Sequence, residues 1–275
     1  MDLQQKYNSL KDSLTRLEKV AIAFSGGVDS SLLLKVAVDT LGPQNVLACY
    51  ATSPSQPQCQ RKTAIDFANS LNIKLIEVPT TEISDPAYIA NTPNRCYICK
   101  VHILSEIKKA AQNQGFKNIL CGNNVDDEKD FRPGNRAVKE QAAICPLLDA
   151  NLTKQDIRQL SRQLNLPTAE TPSSPCLASR IVYNLEITPQ RLEQVEQAED
   201  YLRQLGFTAL RVRHHGDIAR IEILPEQINN VLTQRQQISE KMKSIGFKFI
   251  TLDLQGLRLG SLNETLSNDD KNSFL

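Results

Sequence analysis

A chain of 275 residues with 40% hydrophobic and 23% charged residues can bury a core without disulfide staples and is too apolar to be wholly disordered. Its 32 Lys and Arg against 31 Asp and Glu leave a formal net charge of +1. That excludes a global pull onto nucleic acid or anionic lipid and leaves only a local basic patch open.

The first 18 residues are polar, with Leu10, Leu14 and Leu17 at helical spacing. They predict an amphipathic helix and not a signal peptide. No apolar run approaches the roughly 18–20 residues that span a bilayer, so no membrane partner is expected. A cytoplasmic, reducing location follows, in which the seven cysteines stay free for metal or chemistry. Residues 19–24, 45–50, 73–78 and 118–121 read as short buried strands, with helices at 30–40, 57–71 and 97–114 between them. This order predicts a parallel α/β sheet with ligands at the carboxyl ends of its strands. A Thr-x-x-Asp cap at Thr153 opens a helix that ends before Pro167, and 167–180, rich in Pro, Ser and Thr, reads as a loop. Thr188 and Pro189 open a further helix that Gly206 stops. Residues 210–213 and 218–224 alternate like antiparallel strands around a turn at 215–217. A helix from Pro225 to about 245 and a strand at 247–254 complete an αββαβ order, which suggests a ferredoxin-like α+β domain. The expected division is a parallel-sheet domain over 1–183, the smaller domain over 184–262 with the boundary near 180–187, and a disordered tail over 263–275.

The densest motif is Ser25-Gly26-Gly27-Val28-Asp29-Ser30-Ser31, after the first strand and at the start of a helix. Two glycines permit a tight turn whose N–H groups converge on one phosphate, and the helix N-terminus adds partial positive charge. The serines add donors, and Asp29 can hold Mg²⁺ against the phosphate charge. A Ser/Gly turn that merely caps a helix is the plain alternative. After the fourth strand come Gly122, Asn123, Asn124 and then Asp126, Asp127 and Glu128, which can orient Mg²⁺ or substrate. Arg132 and Arg136 can grip a phosphate or carboxylate, or the whole run can be a solvated loop.

Cys176, on the Pro/Ser-rich loop with Arg180 close behind, reads as an activated thiolate rather than a core thiol. Cys96 and Cys99 share one face at a helix start, where the helix N-terminus favours thiolates. A chance pair and a redox dithiol are the alternatives, and a structural zinc site would want a second close pair. Cys49, Cys59, Cys121 and Cys145 are isolated, and Cys49 and Cys121 are assigned to the core. Arg211 and Arg213 alternate on one strand and can hold a substrate phosphate, unless they form a charged solvent face.

Residues 25–31 lack the Walker A pattern and resemble the PP-loop of the N-type ATP pyrophosphatases, which cleave ATP between its α and β phosphates and transfer AMP to an acceptor oxygen. With residues 122–134, 173–181 and 187–222, the chain resembles the LarE family of ATP-dependent sulfur transferases over about residues 5–255. The resemblance implies ATP and Mg²⁺ at 25–31 and adenylation of a carboxylate of a pyridinium dicarboxylate mononucleotide. Sulfur held at Cys176 then attacks the adenylate. Either Cys176 gives up its own sulfur and becomes dehydroalanine, or Cys96, Cys99 and Cys176 hold a [4Fe-4S] cluster with one open iron. The resemblance also implies partner enzymes of the nickel-pincer nucleotide pathway and a homo-oligomer, such as a hexamer. Competing readings are a PP-loop tRNA thiolase, which the near-neutral charge disfavours, a nucleotide-binding regulator without turnover, and a cluster carrier that uses ATP as a trigger.

Overall fold

The computed structural model describes residues 1–128, 132–171, 175–258 and 260–267. Three residues of the acidic–basic loop (129–131), two of the serines before Cys176 (173 and 174) and 268–275 of the expected tail lie outside the described residues. In chain order the helices and strands are α1 (Leu3–Leu17), β1 (Val20–Ala23), α2 (Val28–Leu41), β2 (Val46–Thr52), α3 (Gln58–Ser70), β3 (Lys74–Pro79), α4 (Pro86–Ile89), α5 (Arg95–Asn113), β4 (Asn118–Leu120), α6 (Gly134–Glu140), α7 (Pro146–Asp149), α8 (Lys154–Gln163), α9 (Pro189–Gln204), β5 (Leu210–His215), β6 (Ile218–Ile223), α10 (Ile228–Thr233), α11 (Arg235–Ile245) and β7 (Phe249–Leu252). They form two units. One comprises Met1–Glu82 and Cys96–Ser174, the other Ile83–Arg95 and the chain from Pro175 onward.

Successive side chains of a strand point to opposite faces, and in the first unit both faces are buried. Val20, Ile22, Val46 and Ala48 pack with Leu10, Leu14, Leu33, Ile157 and Leu160 from α1, α2 and α8. Ala21, Leu47 and Cys49 pack on the other face with Ile107 and Ala111 of α5. Each large aliphatic side chain so buried contributes about 1.5–3 kcal/mol. All four strands are parallel, in the order β3-β2-β1-β4. The chain therefore builds from β1 to one side through β2 and β3, then places β4 on the other side of β1. The carboxyl ends of β1 and β4 flank the topological switch point, where open α/β sheets bind ligands. The parallel sheet expected from the sequence is present, and α2 starts at Val28, inside the motif.

In the second unit, Ala198, Leu202, Val212, Ala219, Ile221, Val231, Ile238 and Met242 join α9, α10 and α11 to one face of a three-stranded sheet. β5 and β6 are antiparallel, and β7 pairs parallel with β6. This corrects the ferredoxin-like expectation. That arrangement would place a further strand between β6 and the strand after the second helix, whereas α10 and α11 return the chain directly beside β6. The single helix expected from Pro225 to 245 is broken between α10 and α11. Thr233 Oγ1 donates to the Asn230 carbonyl at 2.9 Å, a local bond that competes with the helical ladder.

The boundary also differs from the one expected near 180–187: it falls at 174–175, and residues 83–95 join the second unit. Asn91 explains the latter. It is fully buried in the left-handed region at φ 53°, which Asn tolerates better than most residues. Its Nδ2 donates to the carbonyls of Val182 (2.9 Å) and Leu185 (2.8 Å), and its Oδ1 accepts from Arg95. A 3-10 turn, Ser261–Thr265, occupies the start of the expected tail. Among the described residues, no helix is long and apolar enough to cross a membrane.

Candidate functional site

The turn between β1 and α2 is an anion cradle in its backbone. Gly26 sits at φ 76°, where a side chain would be strained, and a Cβ there would stand 3.3 Å from Ala64 Cβ on α3. Gly27 is the N-cap of α2, so the N–H groups of Val28, Asp29 and Ser30 fall in the helix's first turn and lack intrahelical acceptors. Ser30 Oγ donates to the Gly27 carbonyl (3.1 Å), and the amide of Ser25 donates to it (3.3 Å), so this serine braces the turn. Ser31 is fully buried, and its Oγ has no hydrogen-bond partner among the described residues. Val28 is buried in the core and offers only its backbone.

The loop after β4 closes on this turn. A Cβ on Gly122 would lie 3.1 Å from Ser30 N and 3.3 Å from Ser30 Cα, so the missing side chain lets the loop pack against the first turn of α2. Asn124 Nδ2 reaches Asp29 Oδ1 at 3.4 Å, and Lys154 Nζ pairs with Asp29 Oδ2 at 2.5 Å. Lys154 is the first residue of α8, which the Thr153–Asp156 capping box starts. Asp127 accepts from the Asn124 amide at 3.0 Å and pairs with Arg132 at 2.6 Å. Burial pushes its carboxyl up, and the Arg132 charge opposes that. The Asp29 charge also raises the Asp127 carboxyl, so the two stand near one another at the switch point, a carboxylate pair suited to Mg²⁺, which takes one or two protein carboxylates plus substrate phosphates.

Two expected contacts have other partners. Asp126 Oδ2 accepts the Lys154 backbone N–H at 2.8 Å and so helps start α8, where metal or substrate orientation was expected. Arg136, expected to grip an anion, lies over the Tyr97 ring at 4.0 Å and beside Glu140 at 3.6 Å.

Cys96 is exposed and Cys99 half-buried, the second and fifth residues of α5. Among the described residues, no group of three or more His, Cys, Asp or Glu stands ready to hold a metal ion. Cys49 and Cys121 are buried, and burial pushes the Cys49 thiol up to about 12. Cys145 is not isolated. A parallel bridge pairs Leu120 with Ile144 and so brings Cys145 against Cys121, where burial pushes its thiol up to about 12. Such a thiol is protonated and unreactive near neutrality.

In the second unit, Cys176 precedes a 3-10 turn, Leu177–Arg180, held from below by buried ions. Arg180 is fully buried. Its guanidinium donates to the carbonyls of Pro175 and Cys176 (3.0 Å for the latter) and bidentately to Glu199 (2.9 and 3.1 Å). Burial alone would raise the Glu199 carboxyl, but the Arg180 charge and hydrogen bonds hold it below the ordinary range. Arg213 donates to the Ser179 carbonyl (2.9 Å) and to Glu222 (2.9 Å). Arg180 and Arg213 therefore hold the cysteine loop. Arg211 is half-buried, and burial followed by the Arg180 charge pushes it down to about 10.

Sequence reasoning missed Lys154 and Glu199. Lys154 follows a capping residue, and Glu199 stands at the spacing of Leu192, Val195 and Leu202, an acid on a buried stripe.

Residues 3–97 match the NAD synthase family, the stretch that contains the phosphate turn. Over 272 residues, 99% of both chains, the protein is 36% identical to pyridinium-3,5-bisthiocarboxylic acid mononucleotide synthase of Lactiplantibacillus plantarum. The chain belongs to the LarE family. It is also 39% identical over 267 residues to an uncharacterized protein of Synechocystis sp., covering 96% of this chain and 99% of that one. An uncharacterized protein of Methanocaldococcus jannaschii is 30% identical over 248 residues, 90% of this chain and 94% of that one. As a LarE-family protein it is an ATP-dependent sulfurtransferase of the PP-loop class, and residues 25–31 are its PP-loop.

Proposed function

We propose that this LarE-family protein adenylates a carboxylate of a pyridinium dicarboxylate mononucleotide and exchanges the activated oxygen for sulfur presented at Cys176, a step toward a nickel-pincer nucleotide. The observation that carries the reading is the close approach of Gly122 to Ser30, which brings the loop after β4, with Asp127, up to the turn that carries Asp29. A carboxylate oxygen attacks the α-phosphorus, and pyrophosphate leaves into the cradle of N–H groups and Ser31. Asp29 would hold Mg²⁺ there, releasing Lys154 toward the phosphates. Thiolate attack at the acyl carbon then forms a thioester and expels AMP with the oxygen. Loss of the Cys176 α-proton and cleavage of its Cβ–S bond would release the thiocarboxylate and leave dehydroalanine.

The exposed Cys96 and half-buried Cys99 favour a second source of sulfur. The family resemblance would make them, with Cys176, the three thiolates of a [4Fe-4S] cluster, which if bound would supply an open iron for sulfide. Anaerobic purification followed by iron and sulfide analysis and intact mass after turnover separates the sources. Iron with unchanged mass, and loss of activity on Cys96→Ser or Cys99→Ser, marks the cluster. Absence of iron with a deficit of one hydrogen sulfide at position 176 marks self-sacrifice, which those variants spare. Absence of pyrophosphate release with ATP, Mg²⁺ and the substrate would overturn both.

A further inference from the structure

The chain after β7 does not leave the second unit. Asp253 N donates to the Ile221 carbonyl (2.9 Å) and Leu257 N to the Ile223 carbonyl (2.7 Å), so the chain runs on beside β6. It turns at Gly256, at φ 74°, where a Cβ would stand 2.7 Å from the Ile223 carbonyl. Arg258 pairs with Glu264 across the next turn at 2.7 Å. This strap ends beneath the cysteine loop. Ser261 is 3% exposed; its Oγ accepts from Arg213 Nη2 and donates to Glu222 Oε1, both at 2.8 Å. The same guanidinium uses Nη1 to hold the Ser179 carbonyl, and Ser179 Oγ donates to the Cys176 carbonyl at 2.7 Å. Two residues beyond Ser261, Asn263 Oδ1 accepts from Tyr183 OH at 2.9 Å, on the chain that leaves the loop.

We infer that the 260–265 turn positions the Cys176 thiol, with Ser261 acting through Arg213 and Ser179, and Asn263 through Tyr183. The inference rests on the reading that Cys176 presents sulfur, because only then does its placement set a rate. A planar guanidinium has its orientation fixed by acceptors on each edge. With the hydroxyl removed, Arg213 keeps Glu222 Oε2 at Nε and Nη2 but loses the second acceptor of Nη2, so the guanidinium can shift about the Glu222 contact and carry the Ser179 carbonyl with it. Ser261 is a positioning residue and touches no reacting atom.

The test is iodoacetamide labelling of the full chain, resolved by peptide mass, with exposed Cys59 as internal reference. Ser261→Ala is expected to change the Cys176 labelling rate about tenfold, the factor one lost charge-assisted hydrogen bond carries, while Cys59 keeps its rate. Sulfur transfer falls with it at unchanged KM for ATP, and Ser261→Thr restores both. Asn263→Ala moves Cys176 in the same direction and serves where Ser261→Ala does not fold. Unchanged Cys176 labelling in Asn263→Ala and in folded Ser261→Ala overturns the inference, as does failure of the threonine variant to restore it. If labelling shifts as expected but the parent chain transfers no sulfur, the positioning stands and only the sulfur-transfer reading falls.

Discussion

Gly122 works through the side chain it lacks. The Ser30 amide and Cα occupy the space a methyl group would need, so the β4 loop and the PP-loop are fitted to one another at contact distance. Gly122→Ala must push the first turn of α2 outward by a few tenths of an ångström and misalign N–H groups meant for one phosphate. We expect ATP-dependent pyrophosphate release to fall at least about tenfold, with thermal stability lowered by only about 1 kcal/mol. Equal losses of folding and activity, or no loss of activity, would show that the closure is incidental. The PP-loop was legible because its glycines, serines and Asp29 are contiguous and their chemistry is local. Lys154 was not, because its ion pair with Asp29 joins residues 125 apart in the chain.

At the scale of elements, α9 and β5 carry the buried charges that hold the cysteine loop. Glu199 occupies a position of the helix's apolar stripe, and its two oxygens serve Arg180, Arg203 and the amide of Val212. Removing one partner of such a buried pair leaves an uncompensated charge, which costs more than the pair contributes. β5 also carries His214, whose ring packs on Phe247 and bonds Gln194 at 3.1 Å. Burial first, then the charges of Arg191 and His215, push its pKa down to about 4. The unfolded chain, with an ordinary value near 6.5, therefore binds a proton that the folded chain refuses. Stability is full above about 6.5 and declines by up to about 3 kcal/mol as pH falls toward 4. Melting curves at pH 7.5 and 5 should show a steeper fall for the parent chain than for His214→Asn; equal falls would contradict the assignment. The helices and strands themselves followed from periodicity. Parallel pairing of β7 with β6 did not, because the αββαβ order is compatible with more than one strand order.

At the scale of the molecule, the chain passes between its two units at 82–83, 95–96 and 174–175. A boundary read along the sequence finds the composition change near 180, but it cannot find a 13-residue excursion whose membership Asn91 decides through bonds to residues about 90 positions away. Residues 25–31 belong to one unit and Cys176 to the other, so on the proposed reading nucleotide activation and sulfur delivery are separable by mutation. The most direct measurement is a single-turnover reaction of the full chain with ATP, Mg²⁺ and the pyridinium dicarboxylate mononucleotide, following pyrophosphate and thiocarboxylate together in the parent and in Cys176→Ala. The account predicts pyrophosphate from both and thiocarboxylate from the parent alone. Thiocarboxylate from Cys176→Ala, or no pyrophosphate from the parent, would contradict it.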